Sequence, residues 1–401
     1  MSRRGFASVQ RAGFTTAAVV LCGVASAGAQ AAAGVRAGGA GQDPAGAGAS
    51  AAGTAYVADY GQGNSGRGNV VPINTATNKA GAAITAGYGP VAIAITPDGK
   101  TAYAVSDGSQ YTSWGSVTAI STTPNTASAQ IGVGQRPDAI AITPDGKTVY
   151  VANCSSGSVT PVATATNKAG TAIPVGDAPG VIAITPSGKT AYVANYNAGT
   201  VSAINTATNQ AGAAIPVGAE PDAIAITPDE RTAYVANYAA GTLTPIITAT
   251  NQAGPAIPVG GYPAAIAITP DGETAYVANE TQPGTVTPVA VATGKAGTAI
   301  PVGAEPDAIA ITPDGKTVYV ANYAAGTVTP VAVATNQAGT AIRVGTYPTA
   351  IAITRDGKTA YVMADGKGSA AGTVTPVSIA TNRAGPPIRV GAHPRAIAIT
   401  P

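Results

Sequence analysis

Aromatic side chains other than tyrosine are nearly missing from this chain. There are two Phe and one Trp in 401 residues, and Phe6 and Phe14 both lie in the first 14. Any core further along is therefore built from Ala, Val, Ile and Tyr. There are two cysteines, and Cys22 lies in the amino-terminal leader, so packing rather than a disulfide framework has to stabilise the rest. His393 is the one histidine, and it has no Cys or His companions, which argues against a transition-metal site. Charge is scarce too, at 10% of residues. Arg3, Arg4 and Arg11 sit in the leader, and without them the chain carries 18 basic and 19 acidic residues. That balance excludes a nucleic-acid binder and a polybasic membrane binder.

Glycine (51) and proline (31), by contrast, are abundant, and both are periodic. Turns explain periodic Gly and Pro better than disorder does. A Pro opens each repeat unit at 90, 137, 179, 221, 263, 306, 348 and 394. The unit Pro306 to Tyr347 reads PDAIAITPDGKTVYVANYAAGTVTPVAVATNQAGTAIRVGTY. A period of about 42 residues with several strands per unit is the mark of a propeller blade.

Four strands are expected in that unit. Ala308–Thr312 alternates small and large apolar residues, as an inner strand crowded near an axis should. Thr312-Pro-Asp-Gly-Lys316 is a turn in which Pro presets φ, Asp bonds back to the backbone and Gly accepts positive φ. Thr317–Asn322 is the second strand, Thr327–Thr335 the third and Thr340–Val344 the fourth. Pro330 breaks a local rule by standing inside the third strand, so either that strand bulges or the lost N–H faces no partner. The first repeat segment, Thr54–Asp59, begins at a second strand, and the last, Pro394–Pro401, is only a first strand. Together they complete one blade. The expected fold is all-β: a β-propeller of four-stranded antiparallel blades, eight by repeat count, closed by the two terminal segments sharing a blade.

Residues 1–29 have the layout of a secretory signal, with Ser2-Arg3-Arg4-Gly5-Phe6 leaving both the general secretory and the twin-arginine routes open. Residues 30–53 are mostly Ala and Gly and are read as a flexible tether, and 54–401 as the propeller. An exported, monomeric protein without a membrane span in the mature chain is expected, secreted or held at the envelope.

Tyr-Val-Ala-Asn stands at 150–153, 192–195, 234–237, 276–279 and 319–322, followed by Gly-Thr-Val-like strand starts and Ala-Thr-Asn-Lys/Gln-Ala-Gly turns. On these motifs residues 54–401 resemble the YVTN-repeat β-propeller family of exported and cell-surface proteins, with the family's Thr replaced by Ala. The resemblance implies seven blades as the alternative to eight.

Strand alternation puts the crossovers and the second-to-third-strand loops on one rim and the Pro-Asp-Gly turns on the other. Sequence variation concentrates on the first rim. Three long loops there raise a patch of Arg67, Tyr111, Trp114, Asp365 and Lys367, a candidate binding surface for a protein, glycan or envelope component. Asp138, Asp222 and Asp307 fall on alternate blades near the central opening and are candidates for a cation or an acid-only site, or plain solvated strand starts. A single Asp per Pro-Asp-Gly turn lacks the clustered oxygens of a calcium loop. No residue set reads as a catalytic constellation, a metal site or a cofactor motif. The leading expectation is a non-enzymatic scaffold that binds through its variable rim. A propeller enzyme of hydrolase or lyase type with an acidic central site is the alternative, and a surface-layer component is the third.

Overall fold

A computed structural model describes residues 53–61, 67–108, 114–366 and 371–401. The expected leader, all of the expected tether except Gly53, Tyr111 and Lys367 lie outside the described residues. Eight antiparallel sheets form a closed ring. Blade I joins the two ends of the chain, and its inner strand is Pro394–Ile399. The other inner strands are Pro90–Ile95 (II), Pro137–Ile142 (III), Pro179–Ile184 (IV), Pro221–Ile226 (V), Pro263–Ile268 (VI), Pro306–Ile311 (VII) and Pro348–Ile353 (VIII). The count of eight follows the repeat and not the seven of the alternative.

The closure is made as the sequence requires. Thr54–Asp59 pairs on one side with Arg67–Asn74 and on the other with Pro394–Ile399, so that Val57 lies opposite Ile397. Thr54 N–H donates to Thr400 Oγ1 at 2.9 Å, and Thr400 N–H returns a bond to Thr54 O at 2.9 Å. Ile397 and Ile399 are only partly buried, because inner strands face the axis and eight blades leave it open.

The fully buried material lies one strand further out. Among the described residues eight apolar clusters are present, and each is shared by two neighbouring blades. Ala308, Tyr319, Ala321 and Val328 of blade VII, for instance, pack on Ile351, Ala360, Val362 and Val377 of blade VIII. Val and Tyr suit this place, since a strand sandwiched between two sheets buries both of its faces. No blade has a core of its own, so the ring folds by stacking.

Polar residues of the repeat are absorbed by the scaffold. Asn322 is fully buried, and its Nδ2 donates to Thr327 Oγ1 at 3.0 Å and Thr329 Oγ1 at 2.9 Å, fastening the second strand to the third. On the lower rim Thr312 Oγ1 donates to Asp314 Oδ1 at 2.6 Å, Lys316 N–H donates to the same oxygen at 3.1 Å, and Gly315 sits at φ 69°. Those turns are structural.

The fourth strand differs from expectation. In blade VII it is two short pieces, Gln337–Ala338 and Ile342–Arg343, both paired with Thr327–Ala332. Pro330 holds its place opposite Tyr319 in an unbroken register with the second strand. The outermost strand is interrupted beside it and reaches Pro330 only through Gly339 N–H to Pro330 O at 2.7 Å.

Candidate functional site

The upper rim is built by one irregularity repeated around the ring. In blade VII, Pro306 lies opposite Asn322 and Ala308 opposite Ala321, so Asp307 between them is the extra residue of a β-bulge. The same skip makes Asp138, Asp222 and Arg395 the extra residues in their blades. A β-bulge re-aims the extra side chain and bends the strand. The residue before the opening Pro takes up the slack in a left-handed conformation: Arg136 at φ 45°, Glu220 at 56°, Tyr262 at 53°, Glu305 at 52° and Tyr347 at 59°. Its carbonyl is then turned to accept the N–H of the residue after the second strand, as in Cys154 to Arg136 (3.0 Å), Tyr238 to Glu220 (2.8 Å) and Asp107 to Gly89 (3.0 Å). Each blade thus offers up to three side chains at the upper rim, from crossover, bulge and strand end, with Gly89 leaving the crossover of blade II bare and Gly180 the bulge of blade IV.

In blades I to III these positions supply two carboxylates, two guanidinium groups and a phenol. Asp107 Oδ2 accepts a long bond from Tyr60 Oη at 3.5 Å, while Asp107 Oδ1 and Asp138 Oδ2 are buried without a hydrogen-bond partner. Gly89 makes room for this. A Cβ there would collide with Asp107 Oδ1 and the Tyr60 ring, and its φ of 62° already favours glycine. The Arg395 guanidinium lies 5.6 Å from the centroid of the Tyr60 ring. Burial pushes the Asp107 carboxyl up to about 7, against the pull of Arg136, the Tyr60 hydroxyl and Arg395. Burial likewise holds Asp138 up at about 7, with the charge of Asp107 adding to it and Arg136 and Arg395 opposing.

Blades IV to VIII present acids and tyrosines. Tyr196 Oη donates to Glu220 Oε2 at 2.8 Å and Tyr238 Oη to Glu280 Oε2 at 2.9 Å. Asp222 is buried, and burial raises its carboxyl well above the usual range, reinforced by Asp307, Asp138, Glu280 and Glu220. Two aromatic pairs stand on the same rim. Tyr238 and Tyr262 have ring centroids 5.1 Å apart, and Tyr323 and Tyr347 stack at 4.7 Å.

Asp138, Asp222 and Asp307 therefore do share one electrostatic environment. Among the described residues, however, no three His, Cys, Asp or Glu groups lie close enough to hold a metal ion. Sequence reasoning missed Asp107, Tyr60 and Glu280. The signal was present: each occupies the position just after the second strand, where Tyr or Cys stands in blades III, IV, V and VII. Of the patch read from the long loops, Arg67 lies 5.6 Å from the Tyr88 ring centroid and Trp114 is 65% exposed. Asp365 Oδ1 lies 3.3 Å from His393 Nδ1. Among the described residues, no hydrogen bond, ion pair or ring contact is seen between Arg67, Trp114 and Asp365.

Two carboxylates that burial raises towards neutrality can divide between a charged and a protonated form near pH 7. Such a pair accepts a proton at one oxygen and supplies one at another, beside guanidinium groups able to stabilise an oxyanion.

Residues 54–175, 134–219 and 248–344 match a protein-family model described as lactonase, 7-bladed beta-propeller. No curated protein matches the chain. Among solved structures, the dihydro-heme d1 dehydrogenase NirN in complex with DHE is 15% identical with a TM-score of 0.70, covering 87% of this chain and 75% of that one. A putative 6-phosphogluconolactonase from Bacteroides uniformis ATCC 8492 is 18% identical with a TM-score of 0.58, covering 87% and 99%. Kuenenia stuttgartiensis hydrazine synthase is 22% identical with a TM-score of 0.57, covering 76% and 96%. These likenesses speak to the fold. The family match corrects the expectation of a non-enzymatic scaffold or surface-layer component, since a lactonase family is one of enzymes. The physical reason for the error is Asp107: with it, the acids at the mouth make a coupled pair that single blades do not reveal.

Proposed function

The chain belongs to the lactonase, 7-bladed beta-propeller family, and on that premise we propose that it hydrolyses a lactone at the upper mouth of its axis. The observation that carries this reading is the half-buried pair Asp107 and Asp138, each with one buried oxygen that has no hydrogen-bond partner and both held at about 7, with Arg136 and Arg395 acting on them. In the reaction the ionised carboxylate takes a proton from water as the water oxygen attacks the lactone carbonyl. Arg136 and Arg395 stabilise the oxyanion that develops. The ring C–O bond then breaks, and the leaving alkoxide takes the proton of the other carboxyl. The product is the open hydroxy acid, and the pair has exchanged its proton. Which member starts as base is a property of the pair and not of one residue. The rate should peak near neutrality and fall on both sides, because each turnover needs one carboxyl ionised and one protonated.

The test is acid release from a panel of five- and six-membered lactones, with spontaneous opening subtracted. Asp107→Asn and Asp138→Asn keep side-chain shape and are each expected to lower kcat/KM by about 100-fold or more. Hydrolysis no faster than the spontaneous rate, or rates untouched by both substitutions, would refute the reading.

A further inference from the structure

We propose that the mouth takes a neutral, polyhydroxylated lactone, a sugar lactone without a phosphate or carboxylate group. The proposal rests on the hydrolytic reading above and adds the class of substrate. If the reacting carbonyl sits at Asp107 and Asp138 on blades II and III, the rest of the molecule lies over the remaining blades. Along the crossovers and second-to-third-strand loops of blades V to VII the charged residues are Glu220, Asp222, Glu280, Glu305 and Asp307, and Lys367 of the blade VIII loop lies outside the described residues. The guanidinium groups that act on the mouth carboxylates, Arg136 and Arg395, stand beside the reacting pair. An anionic tail would therefore be brought against carboxylates that already repel one another around Asp222, in partly desolvated surroundings where repulsion is strong.

The same stretch of rim suits a sugar. A sugar ring has apolar C–H faces and an edge of hydroxyls. The two tyrosine pairs, one from blades V and VI and one from blades VII and VIII, offer aromatic faces, with Tyr262 52% exposed. Carboxylates between them accept hydroxyl protons, and ligand sites combine such faces with a few convergent polar groups. Tyr196 and Tyr238 are oriented beforehand by Glu220 and Glu280.

Calorimetric titration of the full chain with D-glucono-1,5-lactam and with its 6-phosphate tests this. The lactam mimics the lactone ring and is not hydrolysed. It should bind at least about tenfold more tightly than its phosphate, and 0.5 M salt should narrow the gap by screening. Tyr262→Ala with Tyr347→Ala should weaken lactam binding about tenfold while the thermal melt is kept. Glu280→Gln with Glu305→Gln should raise affinity for the phosphate. Equal or tighter binding of the phosphate, or no binding of the lactam, overturns the proposal. Lactam preference without lactone hydrolysis would uphold the substrate class and remove the hydrolytic reading. Hydrolysis with a preference for the phosphate would do the reverse.

Discussion

The hydroxyl of Tyr192 belongs to the neighbouring blade. It donates to Asn251 Oδ1 at 2.6 Å, and Asn251 is the left-handed residue of that blade's lower turn at φ 55°. Tyr150 with Asn209, Tyr276 with Asn336 and Tyr319 with Asn382 repeat the bond, and Tyr361 with Asn78 at 2.5 Å carries it across the seam between the chain's two ends. Asn thus answers two needs, a conformation most residues avoid and an acceptor for the adjoining sheet. Gly294 replaces Asn in blade VI, and Tyr234 reaches only Val291 O at 3.4 Å. Tyr192→Phe should therefore cost about 1 kcal/mol in denaturant unfolding, and Tyr234→Phe distinctly less. Equal losses at the two positions would show that the bond contributes nothing beyond packing. The recurrence of Tyr once per blade was legible in the sequence as packing. Its partner was not, because Asn251 lies 59 residues away from Tyr192.

At the scale of the strand, the seam is the most exposed liability. Removing Pro394–Pro401 would leave Thr54–Asp59 with one side unpaired and open the cluster formed by Ala55, Val57, Tyr361 and Met363. Bare strand edges recruit other chains. The truncated protein is expected to melt lower and to form soluble aggregates, read by light scattering during a thermal ramp. An unaltered melt would contradict closure by this strand. The closing strand could be read from the chain's ends because its pattern is that of a unit cut in two. The split fourth strand could not. The same split occurs in blade IV, where Ala203 stands in place of the proline, so it does not follow from Pro330 and is fixed only once the sheet is assembled.

For the whole molecule, the two rims titrate in opposite senses. Lower-rim carboxyls such as Asp98, Asp145 and Asp314 are held below the ordinary range, first by the Thr hydroxyl two residues before them. Their contribution is present above the unfolded value of about 4 and is lost as pH falls. Upper-mouth carboxyls are raised: Asp107 and Asp138 to about 7, and Asp222 well above its normal value. The folded state holds protons there that the unfolded chain has released, so this stability is full below about 4 and is lost as pH rises through 7. The ring should be most stable between those limits. Its melting temperature should drop from pH 6 to pH 8, and Asp222→Asn should flatten the drop. A melt that is constant or rises over that interval would mean the mouth acids are solvated and ordinary. The ring itself was legible because each blade repeats its neighbour, whereas the site was not, because it is assembled from single departures on different blades.

The left-handed crossovers have one more consequence. Arg136, Ala178, Glu220, Tyr262, Glu305 and Tyr347 all hold positive φ immediately before a proline, although side chains and a following proline both disfavour such backbone. Each is a small spring, wound by about 1 kcal/mol or more and kept wound by the carbonyl bond to its own strand end. Glycine would relax all six. An engineer seeking a hardier ring would begin there, and would strip the mouth of Arg136, Glu220, Glu305, Tyr262 and Tyr347 in the process. Robustness and the make-up of the rim compete for the same six places on the backbone, and in five of them this chain carries a charged or aromatic side chain.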